Sequence, residues 1–169
     1  MSQPLKGIKI LDFSTLLPGP YATQLLADMG AEVLRVESPS RPDLLKLMPP
    51  KIGSVSAAHA SLNRNKKSIA IDLKHENAAE IVHKLIEDHD VLIEQFRPGV
   101  MQRLGLGEDA VRALNPTIIY ASISGFGQDS PLKNWPAFDL VIQAMGGLMS
   151  LTGPKGGPAT AVGESMADV

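Results

Sequence analysis

Cysteine is absent from the 169 residues. That excludes disulfides and thiolate metal sites, and it fits a reducing compartment. An excess of charge of one sign is also missing. The formal net charge is −2, so nothing favours non-specific binding to nucleic acid through a basic surface. No apolar run is long enough to span a bilayer: the least charged stretch, Leu140 to Pro154, is short and rich in Gly, Ser and Thr. The opening residues Met1-Ser2-Gln3-Pro4-Leu5-Lys6 lack the apolar centre of a signal peptide. A cytoplasmic protein without membrane or nucleic-acid partners is the expectation. There is no internal repeat, low-complexity tract or domain linker. The phosphate-cradling G-x-x-x-x-G-K-[ST] and the nucleophile elbow G-x-S-x-G do not occur. The four histidines, His59, His75, His83 and His89, show no H-E-x-x-H and no paired spacing; they read as surface or helix-end residues, and no metal is expected.

What is present is a globular composition, 44% hydrophobic and 20% charged, over a length that supports one domain with a core. The first unit sets the pattern. An apolar run, Ile8 to Phe13, turns through Ser14-Thr15-Leu16-Leu17-Pro18-Gly19-Pro20 into a helical pattern, Tyr21 to Met29, that stops at Gly30. A second apolar run, Ala31 to Val36, follows at once. Strand, crossover helix and strand form the grammar of a parallel sheet, whose ligands bind at the carboxyl ends of its strands. The loop Asp12–Pro20 is therefore the first candidate site.

Further strands are expected at Ser68–Leu73, Val91–Phe96 and Thr117–Ser124, with helices at Ala57–Leu62, after His75-Glu76-Asn77, at Val100–Leu104, at Glu108–Leu114 and from Phe138 to Met149, broken at Gly146-Gly147. Asn63 to Lys67 reads as a basic turn and Leu44–Val55 as irregular. The fold class is α/β: an open, mostly parallel, Rossmann-like sheet with helices on both faces. Ala167-Asp168-Val169 reads as a helix that has just begun, so the chain is expected to be a piece of a longer protein.

Gly105-Leu106-Gly107-Glu108-Asp109-Ala110 fits the dinucleotide pattern, but it follows a helix rather than a strand and carries two acids; it reads as a helix-to-helix turn. Arg41, Lys74, Arg97 and Arg103 each follow an expected strand, so in a parallel sheet they share one edge. An anionic, phosphate-bearing ligand and ordinary solvated loop charge both fit that pattern. Asp12, Asp72 and Asp139 have structural explanations, Asp139 as a helix N-cap. Asp168 lies among small residues after a Gly-rich loop, and its residue context alone leaves its role open.

Several stretches in one order carry a resemblance. They are Leu11-Asp12-Phe13 with Pro18-Gly19-Pro20; Leu26 to Val33; Asn63 to Ser68 with Asp72-Leu73-Lys74; Phe96 to Val100; Arg103-Leu104-Gly105; Ser124 to Gly127; Phe138-Asp139 with Gln143 to Met149; and Ala167-Asp168. From about Leu5 to the last residue the chain resembles the N-terminal part of family III CoA-transferases, the group of formyl-CoA and carnitine CoA-transferases related to α-methylacyl-CoA racemases. The resemblance implies that residues 1–169 are the CoA-binding N-terminal part of a large domain, with a smaller domain and a C-terminal return absent. It implies an acyl-CoA:carboxylate CoA-transferase working through covalent aspartyl anhydride and thioester intermediates, with Asp168 as the nucleophile. Acyl-CoA and a carboxylic acid acceptor are the implied substrates, with no metal. The whole protein would be an interlocked homodimer.

The implied CoA positions are carried over singly. Ile71 and Lys74 match residues at the adenine and phosphate end, and Arg103 matches an arginine at the phosphates. Leu16 and Leu17 lie near the pantetheine and thioester, and Gln95 and Phe96 lie where the fourth strand meets the ligand; Arg97 is a candidate as one of the edge cations. Ser38 stands where many members carry an arginine, and Arg41 is the substitute nearest in sequence. The alternatives are an acyl-CoA racemase or isomerase of the same superfamily, or a CoA-binding piece without activity. Racemases of the group work with a histidine beside the acid matched by Asp139; that position is Phe138 here, which favours transfer over proton exchange.

Overall fold

The computed structural model describes residues 3–169. Seven strands and six α-helices occur among them: β1 (Lys9–Asp12), α1 (Pro18–Asp28), β2 (Glu32–Glu37), β3 (Lys51–Ile52), β4 (Val55–Ser56), α2 (Ala57–Leu62), β5 (Lys66–Ala70), α3 (Ala78–Glu87), β6 (Val91–Glu94), α4 (Val100–Arg103), α5 (Glu108–Leu114), β7 (Ile119–Ser122) and α6 (Asp139–Met145). Five strands form one parallel sheet in the order β5-β2-β1-β6-β7. The expected fold class is borne out. The chain winds outward from β1 to β2 and β5, then returns past β1 to β6 and β7. The strand order therefore reverses beside β1, and the crevice at a parallel sheet's carboxyl edge opens at such a reversal.

The chain divides into two compact units, one running to Ile123 and one from Ser124 to Val169. The boundary falls directly behind β7, in residues without linker composition. In the first unit, the period of two along the strands sorts the core onto two faces. Leu11, Leu92 and Val36 join Val82 and Ile86 of α3 and Val111 of α5 in the larger cluster. Ile10, Ile93 and Val33 pack with Ala27 of α1 and with Ala31 on the opposite face. Neighbouring residues of one strand thus serve different layers, which is why both faces carry helices.

Helix α1 begins at Pro18, three residues before the expected start, because Pro18 at the first turn has no N–H to leave unsatisfied. Gly30 just past its end has φ +102°, a conformation that costs glycine little. Residues 44–55, expected to be irregular, hold a 3₁₀ turn at Leu44–Leu47 and, together with Ser56, the small antiparallel hairpin β3–β4.

Three expectations are corrected. The third strand of the main sheet begins at Lys66, not Ser68, with Lys66 and Lys67 in register with Val33 and Leu34. Two adjacent lysines read as a solvated turn, yet the Lys66 side chain is 1% exposed and its ammonium lies 3.5 Å from the Asp12 carboxylate. Asp139 does not cap α6; Phe138 occupies that position, and the Asp139 carboxylate is engaged elsewhere. Residues 165–168 form turns rather than the start of a helix. His89 is also buried, its ring nitrogen 2.6 Å from the Leu85 carbonyl.

Asp12 is fully buried at the end of the central strand. It accepts from the Ser14 N–H at 2.8 Å, the Ser14 hydroxyl at 2.5 Å and the Thr23 hydroxyl at 2.6 Å. Lys66 donates to the Pro20 carbonyl at 2.8 Å and to the Thr23 hydroxyl at 2.7 Å. The pair fastens β1, the first loop, the start of α1 and β5 together. Removing one member of a buried pair leaves the other charge uncompensated. Lys66→Met is expected to lower unfolding free energy by about 3 kcal/mol, read by urea denaturation. Burial also pushes the Lys66 ammonium down to about 8 from an ordinary 10.5. Between those values the unfolded chain binds a proton that the folded chain releases, so this group makes stability rise with pH from about 8 toward 10.5. The corresponding part of the melting-temperature slope should vanish in Lys66→Met.

Candidate functional site

The carboxyl edge of the sheet is built from the loops that follow β1, β2, β5 and β6. The first loop, Phe13 to Leu17, is held from three directions. Asp12 binds Ser14 at its base. The Asp43 carboxylate accepts from the Leu16 N–H at 3.3 and 3.4 Å, one distance to each oxygen, and from the Leu45 N–H at 2.9 Å. Gln95, just past β6, accepts from the Gly19 N–H at 2.9 Å and donates to the Thr15 carbonyl at 3.0 Å. Asp43 is itself buried against the Arg35 guanidinium, which also meets Glu37 and the His59 ring. Burial, then the Arg35 charge, hold His59 below its ordinary value.

This clamping forces unusual backbone. Leu16 has φ +62°, a region a leucine enters only when its surroundings over-determine it. Gly19 shows the reason for its identity: a Cβ there would lie 2.2 Å from the Ser14 Cβ and 2.7 Å from the Gln95 amide oxygen. Leu16 and Leu17 are half-buried and offer apolar surface along this loop.

Arg41, Lys74, Arg97 and Arg103 all lie exposed beyond the carboxyl ends of parallel strands, Arg41 after β2, Lys74 after β5, and Arg97 and Arg103 after β6. Among the described residues, none of the four side chains pairs with a carboxylate, although Lys46 on the loop after β2 pairs with Glu37, and Lys9, Arg64, Lys84 and Arg112 pair elsewhere. Gly99 has φ +83° and makes room for one of them: a Cβ at that position would come within 3.1 Å of the Arg103 guanidinium. Unpaired cations converging on one edge can bind phosphate through charge-assisted hydrogen bonds.

The remaining candidates of this unit lie on the same edge with different surfaces available. Ile71 is buried in the larger core cluster and Phe96, partly buried, packs against it, so both side chains are engaged in packing. The Gln95 amide is spent on the first loop. The sequence reading missed that clamp, as it missed Asp43, because both act on residues 27 to 80 positions away. An odd polar residue bounding an apolar strand was the available signal.

Asp168 belongs to the second unit. It is half-buried, and among the described residues its carboxylate accepts no hydrogen bond and pairs with no cation. Burial, with the Asp139 charge added, holds the Asp168 carboxyl above the usual carboxylate range. Asp139 accepts from the Ala167 N–H at 2.7 Å, next to Asp168 in the chain. Phe138, at the N-terminal boundary of α6, is exposed. No group of three His, Cys, Asp or Glu that could hold a metal occurs among the described residues, and no helix is long and apolar enough to cross a membrane.

The sheet reversal, the clamped loop and the exposed cations at one edge belong to an α/β chain, and sequence relationships give it a family. The model of CoA-transferase family III matches residues 5–169; the chain belongs to that family. It is 42% identical over 160 residues to acetyl-CoA:oxalate CoA-transferase of Acetobacter aceti, across 95% of this chain and 41% of the relative. It is 41% identical to human succinyl-CoA:glutarate CoA-transferase, across 99% of this chain and 38% of the relative. The crystal structure of a CAIB/BAIF family protein from Brucella suis superposes with a TM-score of 0.93 at 36% identity, covering all of this chain and 46% of that one. The chain thus spans about two-fifths of the length of the curated relatives it matches.

Gln95→Leu keeps the side chain's bulk and removes both of its bonds. Hydrogen exchange at the Gly19 amide should accelerate about tenfold, the equivalent of one lost hydrogen bond of about 1.4 kcal/mol, with the amides of β6 unchanged.

Proposed function

We propose that the protein belongs to an acyl-CoA:carboxylate CoA-transferase, in which residues 1–169 form the CoA-binding N-terminal part of a larger domain. The observation that carries the reading is the set of four unpaired cations on the carboxyl edge of a family III chain. Lys74 and Arg103 hold the phosphates of CoA, with Arg41 and Arg97 beside them, and Arg41 serves in place of the residue at Ser38. Leu16 and Leu17 form the apolar wall for the pantetheine and thioester. Ile71, Gln95 and Phe96 contribute through the backbone.

Asp168 supplies the nucleophile. A carboxylate oxygen attacks the acyl-CoA carbonyl, the C–S bond breaks, and CoA leaves as thiolate, giving a mixed anhydride. The thiolate then attacks the aspartyl carbonyl, releasing the first carboxylate and leaving an aspartyl-CoA thioester. The acceptor carboxylate displaces the thiolate to form a second anhydride. Attack of the thiolate on the acceptor carbonyl yields the new acyl-CoA and restores Asp168. No ATP is consumed because the thioester bond is exchanged rather than made anew. A half-buried carboxylate without hydrogen bonds or a cation suits the first step, since solvation and pairing both weaken a nucleophile. Phe138 supports transfer over racemisation, having no proton to exchange with the α-carbon. The relatives are named for oxalate, glutarate and short acyl groups, so the acceptor is read as a small carboxylic acid. In this reading the whole protein is a cytoplasmic homodimer with interlocked chains.

In the full-length protein, Asp168→Ala should reduce exchange between acetyl- or succinyl-CoA and oxalate or glutarate by roughly 10³-fold or more. Hydroxylamine should inactivate the native protein only in the presence of acyl-CoA; retained exchange in Asp168→Ala would sink the nucleophile assignment. Lys74→Ala and Arg103→Ala should each raise KM for acyl-CoA by roughly tenfold or more, with smaller changes in kcat.

A further inference from the structure

Gln143 is the buried side chain of the second unit that the chemistry above leaves without a role. It lies on α6 and is 2% exposed, a costly setting for an amide unless every polar atom finds a partner. Its partners are all in place. The Val162 N–H can only donate, so it fixes the amide oxygen, which accepts from it at 2.9 Å. The amide nitrogen donates to the Asp139 carboxylate at 2.6 Å and to the Glu164 carbonyl at 3.3 Å. The other Asp139 oxygen accepts from Ala167 at 2.7 Å.

One side chain, directly and through Asp139, therefore holds residues 162, 164 and 167, the segment that carries Asp168. That segment has little else to fix it. From Leu151 onward the chain forms no helix or strand, and among the described residues the local backbone bonds of residues 162–168 are the short turns Met166 to Glu164 and Asp168 to Ser165. A loop of small residues without its own ladder takes its position from what it is tied to.

We infer that Gln143 is the positioning residue for the nucleophile: it orients the Asp139 carboxylate and ties down the 162–167 backbone, so that the Asp168 carboxylate is presented in one place. This rests on the reading of Asp168 as nucleophile. Displacement by about 1 Å at a reacting group can cost roughly 10²-fold in rate, so the role is kinetic rather than one of affinity for CoA.

The test uses the full-length protein and acyl-CoA exchange. Gln143→Leu is expected to lower kcat by roughly 10²-fold while leaving KM for acyl-CoA and the dissociation constant of CoA within about twofold. Gln143→Glu sets a second carboxylate against Asp139 and should be impaired as well. Combining it with Asp139→Asn reverses the donor and acceptor of that bond while keeping the acceptors for Val162 and Ala167, so the double variant should recover at least tenfold in kcat over Gln143→Glu alone. If Gln143→Leu fails to fold, this rescue decides the question. Unchanged kcat in Gln143→Leu, or no rescue by the double variant, with Asp168→Ala inactive, overturns the positioning role alone. Active Asp168→Ala overturns the nucleophile reading and the positioning role with it.

Discussion

The buried contact between Asp12 and Lys66 governs the architecture of the first unit. A carboxylate without solvent exposure ends the central strand, and a lysine whose side chain is almost wholly enclosed begins an outer one. Neither charge is tolerable alone in such surroundings. Their neutralisation requires β5 to pair with β2 in the register that brings Lys66 over α1. It also requires the first loop to fold back so that Ser14 and Thr23 complete the carboxylate's bonds. The central strand, the start of α1, the base of the first loop and β5 meet at one compensated pair.

With that frame fixed, the carboxyl edge acquires its character by exclusion. Several cations elsewhere in the fold are drawn into pairs, such as Arg35 with Asp43 and Arg64 with Asp28. Among the described residues, Arg41, Lys74, Arg97 and Arg103 on the loops after β2, β5 and β6 form no ion pair and stay available. The first loop differs in kind: Asp43 and Gln95 hold it so firmly that Leu16 adopts a left-handed backbone. The carboxyl edge thus carries two kinds of surface, a held loop with Leu16 and Leu17 half-buried and a set of exposed cations.

The second unit uses hydrogen bonds where the first uses packing. Asp139 and Gln143 place their polar atoms on the backbone of a segment without secondary structure. Among the described residues, Asp168 at its end accepts no such bond. The contrast is functional in the proposed chemistry: neighbours are tied down so that one half-buried carboxylate can stay unpaired.

Much of this was legible in the sequence. Short β-branched runs separated by helical patterns define a parallel sheet, and the period of two along Ile10-Leu11 and Leu92-Ile93 assigns them to opposite layers, because side-chain direction is set locally. The loops bearing Arg41, Lys74, Arg97 and Arg103 fall on one edge for the same reason, since every strand of a parallel sheet points one way. An ordered series of motifs named the family. What the sequence could not supply was the identity of partners distant along the chain. Lys66 reads as a surface charge until Asp12 lies beside it. Asp139 reads as a cap until Ala167 and Gln143 claim its oxygens. Gln95 reads as a ligand contact until its amide closes on Thr15 and Gly19. Local propensity is written into neighbouring residues, whereas the compensation of a buried charge or amide depends on which residues the tertiary fold brings within 3 Å, and only the folded chain decides that.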